Sequence, residues 1–149
     1  MSLQQNVMTA LKEAMKAKDT VALEALRAVK SAILLAKTES GSKDELSESE
    51  ELKLLQKLVK QRKDSAAIYK EKGREDLAAP EIAQAEVIEQ FLPAQLGEDE
   101  IAKVVDDVIS QTGAQGMKDM GKVMGQVSAR LAGQADGKTI SAIVKNKLS

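Results

Sequence analysis

The stretch Phe91-Leu92-Pro93-Ala94-Gln95-Leu96-Gly97 interrupts a chain whose apolar residues otherwise recur at helical spacing. Proline removes a backbone donor and pushes the residue before it toward extended backbone, and glycine closes the break. The segment therefore reads as a junction between two helical blocks. It sets the expected division into an N-terminal domain over 1–96 and a C-terminal domain over 97–149.

Upstream of the junction the spacing predicts four helices. The first runs over about 2–16 with Leu3, Val7, Leu11 and Ala14 inward. Asp19 is placed to cap a second helix, to about Lys37, that buries Val21, Ala22, Leu26, Val29 and Ile33. A polar loop is expected over 38–49. Ser47 and Glu50 then have capping-box spacing for a third helix that Gly73 ends. The fourth is expected over 80–91, with Pro80 in its first turn. Downstream, three shorter helices are expected over 98–111, 116–132 and 137–148, with Asp136 as the last N-cap. Aromatic residues make up 1% of the chain, so aliphatic side chains must build the interior. That composition suits helix-on-helix packing, and the fold class is all-α: a four-helix domain followed by a three-helix domain.

The penultimate helix carries an anomaly. Met117, Met120, Val123, Met124, Val127 and Leu131 gather on one side of the wheel. Gly121, Gly125, Ala129 and Ala132 form a bare stripe beside them, bordered by Lys118 and Lys122. Each interior glycine costs a helix about 1 kcal/mol relative to alanine. Such a stripe lets something approach the backbone closely, either a neighbouring helix or a polyanion.

The net charge of −1 hides strong segregation. Segment 53–74 has eight basic residues against two acidic ones, and 75–107 has ten acidic residues against Lys103 alone. Segment 115–149 sets Lys118, Lys122, Arg130, Lys138, Lys145 and Lys147 against Asp119 and Asp136. Together with Gly121 and Gly125, these six cations form the candidate RNA-binding set. Lys53, Lys57 and Lys60, at i, i+4 and i+7, form a second basic face that is either solvated or laid along phosphates. Arg62 falls within the apolar arc of Leu55, Leu58, Val59 and Tyr69, where a guanidinium needs a carboxylate partner or a route to solvent. Arg27 and Lys30 are expected to pair with Glu86 or Glu89.

The chain has no histidine and no cysteine, which removes disulfides, thiolate metal sites and the commonest bases and nucleophiles. It also lacks a phosphate loop, a dinucleotide fingerprint and a nucleophile elbow. No catalytic residue, metal ligand or cofactor is assigned. No basic-then-apolar leader and no membrane-length apolar run is seen, so a cytoplasmic protein with no membrane partner is expected. Scarce aromatics argue against reading of single-stranded bases and favour a structured RNA held by its phosphates.

Three groups of residues resemble the GatB/YqeY family over essentially the whole chain. They are Ala14-Met-Lys-Ala-Lys-Asp19 with Leu26-Arg-Ala-Val-Lys-Ser-Ala-Ile33; Lys60-Gln-Arg-Lys-Asp-Ser65 with Tyr69, Gly73-Arg74 and Phe91-Leu-Pro-Ala-Gln-Leu96; and Met120-Gly-Lys-Val-Met-Gly-Gln-Val127 with Gly133-Gln-Ala-Asp-Gly-Lys138. Phe91 stands where many relatives carry tyrosine. The last third also resembles the tail domain of the B subunit of the tRNA-dependent aspartyl/glutamyl amidotransferase. The resemblance implies a non-catalytic accessory protein associated with tRNA or another structured RNA. Its alternatives are a component of a glutamine-dependent carbon–nitrogen ligase, in company with amidotransferase or synthetase subunits, and a protein-interaction adaptor using the acidic segment 75–107.

Overall fold

The computed structural model describes residues 2–39 and 45–149. These residues are all-α, with no strand among them, and the chain divides into two compact units, Met1–Leu92 and Pro93–Ser149.

The first unit opens with α1, Leu3–Ala17, under a complete capping box. The Ser2 hydroxyl accepts the Gln5 N–H at 3.2 Å, and the Gln5 side chain accepts the Ser2 N–H at 3.1 Å. Lys18 then turns left-handed at φ 56°, its N–H donating to the Met15 carbonyl and that of Asp19 to the Ala14 carbonyl. Asp19 caps α2, Thr20–Glu39, by accepting the Ala22 N–H at 3.1 Å. A connection this short folds α1 and α2 into an antiparallel hairpin. The second helix runs past the loop start expected at 38, and the part of that loop between 40 and 44 lies outside the described residues.

Ser47 opens α3, Glu48–Glu71, by accepting the Glu50 N–H. Gly73, at φ 72°, ends the run as expected, and the Arg74 N–H reaches back to the Tyr69 carbonyl at 2.8 Å. The fourth helix departs from expectation: α4 spans Glu75–Glu89, with Pro80 inside it rather than at its start. The Arg74 carbonyl accepts N–H groups from Leu77 and Ala78, and Glu75 and Asp76 sit at the positive end of the helix dipole. The Arg74 guanidinium also grips Asp76 through two hydrogen bonds and holds its carboxyl below the usual range. The proline costs α4 one early backbone hydrogen bond, and the first-turn interactions support the turn that precedes it. The unit's core joins Leu3 and Val7 of α1, Ala25, Leu26, Val29 and Ile33 of α2, Leu55 and Val59 of α3, and Ala85 and Ile88 of α4.

In the second unit Leu96 precedes the first helix but already belongs to its fabric. Its N–H donates to the Gln134 carbonyl at 2.9 Å, its side chain packs on the unit's core, and Gln95 Nε2 donates to the Gly133 carbonyl at 2.7 Å. These ties place the limit of the compact units at Leu92/Pro93, ahead of the 96/97 boundary expected from the sequence. Next come α5, Glu98–Thr112, α6, Met120–Arg130, and α7, Gly137–Leu148, each packed against the other two. The continuous helix expected from Met117 begins instead with a 3-10 turn, Met117–Asp119, beside which the Asp119 carboxylate accepts the Gln115 N–H. Met117, expected inward, is exposed. Asp136 caps α7 by accepting the Thr139 N–H at 2.7 Å, as expected.

Two stability measurements check these local arguments. Lys18→Gly removes the strain of a left-handed side-chain-bearing residue and is expected to stabilise the chain by up to about 1 kcal/mol in denaturant melts. A fragment 93–149 is expected to fold as a helical domain by circular dichroism. A fragment beginning at Glu98 loses the Gln95 and Leu96 ties and should be about 1–2 kcal/mol less stable.

Candidate nucleic-acid interface

The geometry of α6 follows from its burial pattern. Val123 and Val127 are fully buried, Met120 and Met124 are partly buried, and Leu131 is buried just beyond the helix. Gly121, Gly125, Ala129 and Ala132 are all exposed on the other side. A Cβ built on Gly121 or Gly125 meets nothing within 4 Å. A neighbouring helix of the same unit therefore does not occupy the stripe, which removes one of the two expected reasons for it. Gly125, inside α6, gives up about 1 kcal/mol of helix propensity with no return from packing in its own unit, and Gly121, in the first turn, gives up less.

The candidate cations are not one surface. Lys122 follows Gly121 on α6 and Lys118 lies in the 3-10 turn that leads into the helix; both are exposed and form no ion pair among the described residues. Arg130, at the end of α6, donates to the Gln111 side chain of α5. Lys138 and Lys147 line an open groove of about 620 Å³ between α5 and α7, together with Glu98, Asp99 and Asn146. Lys147 is bound there to Asp106 at 2.9 Å. Its position at i+3 from Val144 brings it to the α5 side, so its charge is locally balanced. Lys145 is exposed on α7. The groove escaped the sequence reading, because only the packing of α5 on α7 reveals which faces meet.

On α3, Lys53, Lys57 and Lys60 share an exposed face, but Lys60 pairs with Asp64 at 2.9 Å on the next turn. Arg62 does not pair directly with a carboxylate among the described residues. Its Nε donates to Gln84 Oε1 at 3.1 Å, one Nη donates to the Leu58 carbonyl, and Gln84 Nε2 donates to Glu24 Oε2 at 3.0 Å. A neutral amide thus bridges cation and anion, tying α3 to α4 and α4 to α2. Glu89, expected to meet Arg27 or Lys30, pairs with Lys63 at 2.7 Å, while Glu86 stays exposed. Near the start of α3, burial and the charges of Glu45 and Glu48 raise the pKa of Glu51, opposed by Lys37. No group of three or more potential metal ligands comes together among the described residues, and none of the described helices is long and apolar enough to cross a membrane.

A family model described as Yqey-like protein matches residues 4–148. This chain belongs to that family. It is 31% identical over 128 residues to altered inheritance of mitochondria protein 41, mitochondrial, from Pyrenophora tritici-repentis, an alignment covering 84% of this chain and 68% of that protein. Its counterpart in Meyerozyma guilliermondii is 34% identical over 124 residues, covering 78% and 64%. The chain is also 38% identical over 73 residues to the E subunit of the glutamyl-tRNA(Gln) amidotransferase of Thermococcus gammatolerans. That match takes in 46% of this chain and only 12% of the amidotransferase protein's length.

Because the stripe is open, Gly125→Ala should raise stability by about 1 kcal/mol in thermal or denaturant melts, and Gly121→Ala by less. Lys147→Ala removes a pair exposed on its aspartate side and should cost less than about 1 kcal/mol.

Proposed function

We propose that this protein is a non-catalytic accessory factor for tRNA or a similarly structured RNA, and that the outer face of α6 lies against the RNA phosphates. The observation that carries the reading is the uncovered stripe of Gly121 and Gly125 beside Lys118 and Lys122. Bare backbone admits a phosphate chain at close range, and the two ammonium groups supply charge without sequence selectivity. Arg130, Lys138 and Lys145 are exposed elsewhere on the same unit and would need separate phosphate contacts, while Lys147 is committed to Asp106 and contributes little. Lys53 and Lys57 on α3 are a secondary contact at most, since Asp64 offsets Lys60. The similarity to part of an amidotransferase protein named for glutamyl-tRNA(Gln) supports the RNA side of this reading. It also supports a second reading, a component that works beside a glutamine-dependent carbon–nitrogen ligase. Two domains that separate in solution, divided at 92/93 and not at the 96/97 expected from the sequence, and a cytoplasmic location, are part of the proposal.

The test measures tRNA affinity across a salt series. Lys118→Glu with Lys122→Glu should weaken binding and lower the slope of log affinity against log salt by about 1 for each phosphate no longer engaged. Gly125→Leu should weaken binding while melts show the helix retained, and Lys147→Ala should leave the slope unchanged. If the Lys118/Lys122 double variant keeps both its fold and its salt-dependent affinity, the α6 face is an ordinary solvated surface. If binding is absent but amidotransferase subunits co-purify with the chain, the second reading takes its place.

A further inference from the structure

The hairpin of α1 and α2 presents a second unpartnered surface, in the other unit and of different chemistry. Met8 and Met15 are 36% and 57% exposed on α1, and Leu34 is 51% exposed on α2. On a helical wheel Met8 and Met15 lie seven residues apart on one flank, about 10 Å along the axis. Arg27, Lys30 and Leu34 share a flank of α2 by their i, i+3, i+7 spacing. Lys37 Nζ donates to Gln4 Oε1 at 3.0 Å, and since Met8 and Met15 follow Gln4 at i+4 and i+11 while Leu34 and Lys30 precede Lys37 at i−3 and i−7, helical spacing sets the two flanks along one seam, with Glu45 and Glu51 near its Gln4/Lys37 end only. The register sets Met8 level with Leu34 and Met15 toward the far end, with Arg27 and Lys30 between them. Of the carboxylates expected to meet these cations, Glu89 holds Lys63 and Glu86 stays exposed without an ion pair among the described residues; Glu24, on α2 itself, receives Gln84. Neither Arg27 nor Lys30 forms an ion pair among the described residues.

We propose that this seam docks an amphipathic helix of a partner protein, one presenting apolar residues at i and i+7 with carboxylates at i+3 or i+4. Charge complementarity selects the occupant. Two unpaired cations set between apolar ends call for carboxylates set between apolar side chains, at the same two-turn repeat. A nucleic-acid backbone satisfies the cations but gains nothing by covering Met8 and Leu34. A bilayer covers the apolar ends but holds weakly to so few of them. The proposal is independent of the RNA reading of α6.

The test uses the full chain with methyl-labelled methionine and follows Met8 and Met15 by NMR. The probes are helical peptides with one leucine stripe flanked by glutamate, glutamine or lysine, and separately tRNA and vesicles rich in anionic lipid. Glutamate-flanked peptides should shift Met8 and Met15 and leave Met120 and Met124 in place. Arg27→Glu with Lys30→Glu should weaken those peptides about tenfold or more and transfer the preference to lysine-flanked ones. All the substituted positions are exposed, so the fold should be retained. The proposal falls if no peptide shifts these methyls, if the three flanking types bind alike, or if only tRNA or vesicles shift them. Because Lys118 and Lys122 are untouched, tRNA affinity reports on the α6 reading separately.

Discussion

No polar or charged residue is buried among those described, and every large, fully buried side chain is a leucine, isoleucine or valine. That constraint governs the rest of the molecule. With so few aromatics, each helix contributes small increments, roughly 1.5–3 kcal/mol for a buried valine or leucine, and must approach its neighbours through alanine-sized gaps. Ala25, Ala78 and Ala85 are nearly inaccessible for this reason. Because no charge enters the interior, the charge segregation written along the chain becomes segregation over the surface. Function, on this fold, is a matter of which exposed charges are already answered by neighbours and which are not.

Sorted that way, the cations fall into two groups. Lys60, Lys63, Arg74 and Lys147 have acidic partners, and Arg62 has an amide. Among the several cations with no ion pair among the described residues, Lys118 with Lys122 lies near bare backbone, and Arg27 with Lys30 lies near exposed methionine and leucine. On the two proposed readings, polyanion chemistry and protein-docking chemistry fall to different units of the chain. Family membership alone does not make that separation, because folds host many functions.

Much of the helical order was legible in the sequence because its signals are local. Ser2, Asp19, Ser47, Gly73 and Asp136 each act within four residues of themselves, and the apolar periodicity needs only one helix to be read. Two helix starts were misjudged although the interactions that set them are also local, because several local signals compete there. Pro80 resembled a helix start until the Arg74–Asp76 clamp extended α4 toward the N-terminus. Met117 resembled part of an apolar stripe until Asp119 tightened the turn. At the candidate interface the glycine stripe was visible, but its openness was not, since a helical wheel shows which residues align and not what stands opposite. The destination of Lys147, and the partner of Arg62, depended on which side chains other helices brought within reach.

The Arg62–Gln84–Glu24 chain has a consequence for how the first unit responds to its surroundings. Gln84 offers its oxygen to a cation and its nitrogen to an anion, so the amide is polarised in one sense and its two ends cannot be exchanged. A carboxylate in its place would face Glu24 with like charge, and an ammonium would face Arg62 in the same way. The tie among α2, α3 and α4 thus passes through a link with no proton to gain or lose. It works as a directional spacer, its oxygen side turned to α3 and its nitrogen side to α2.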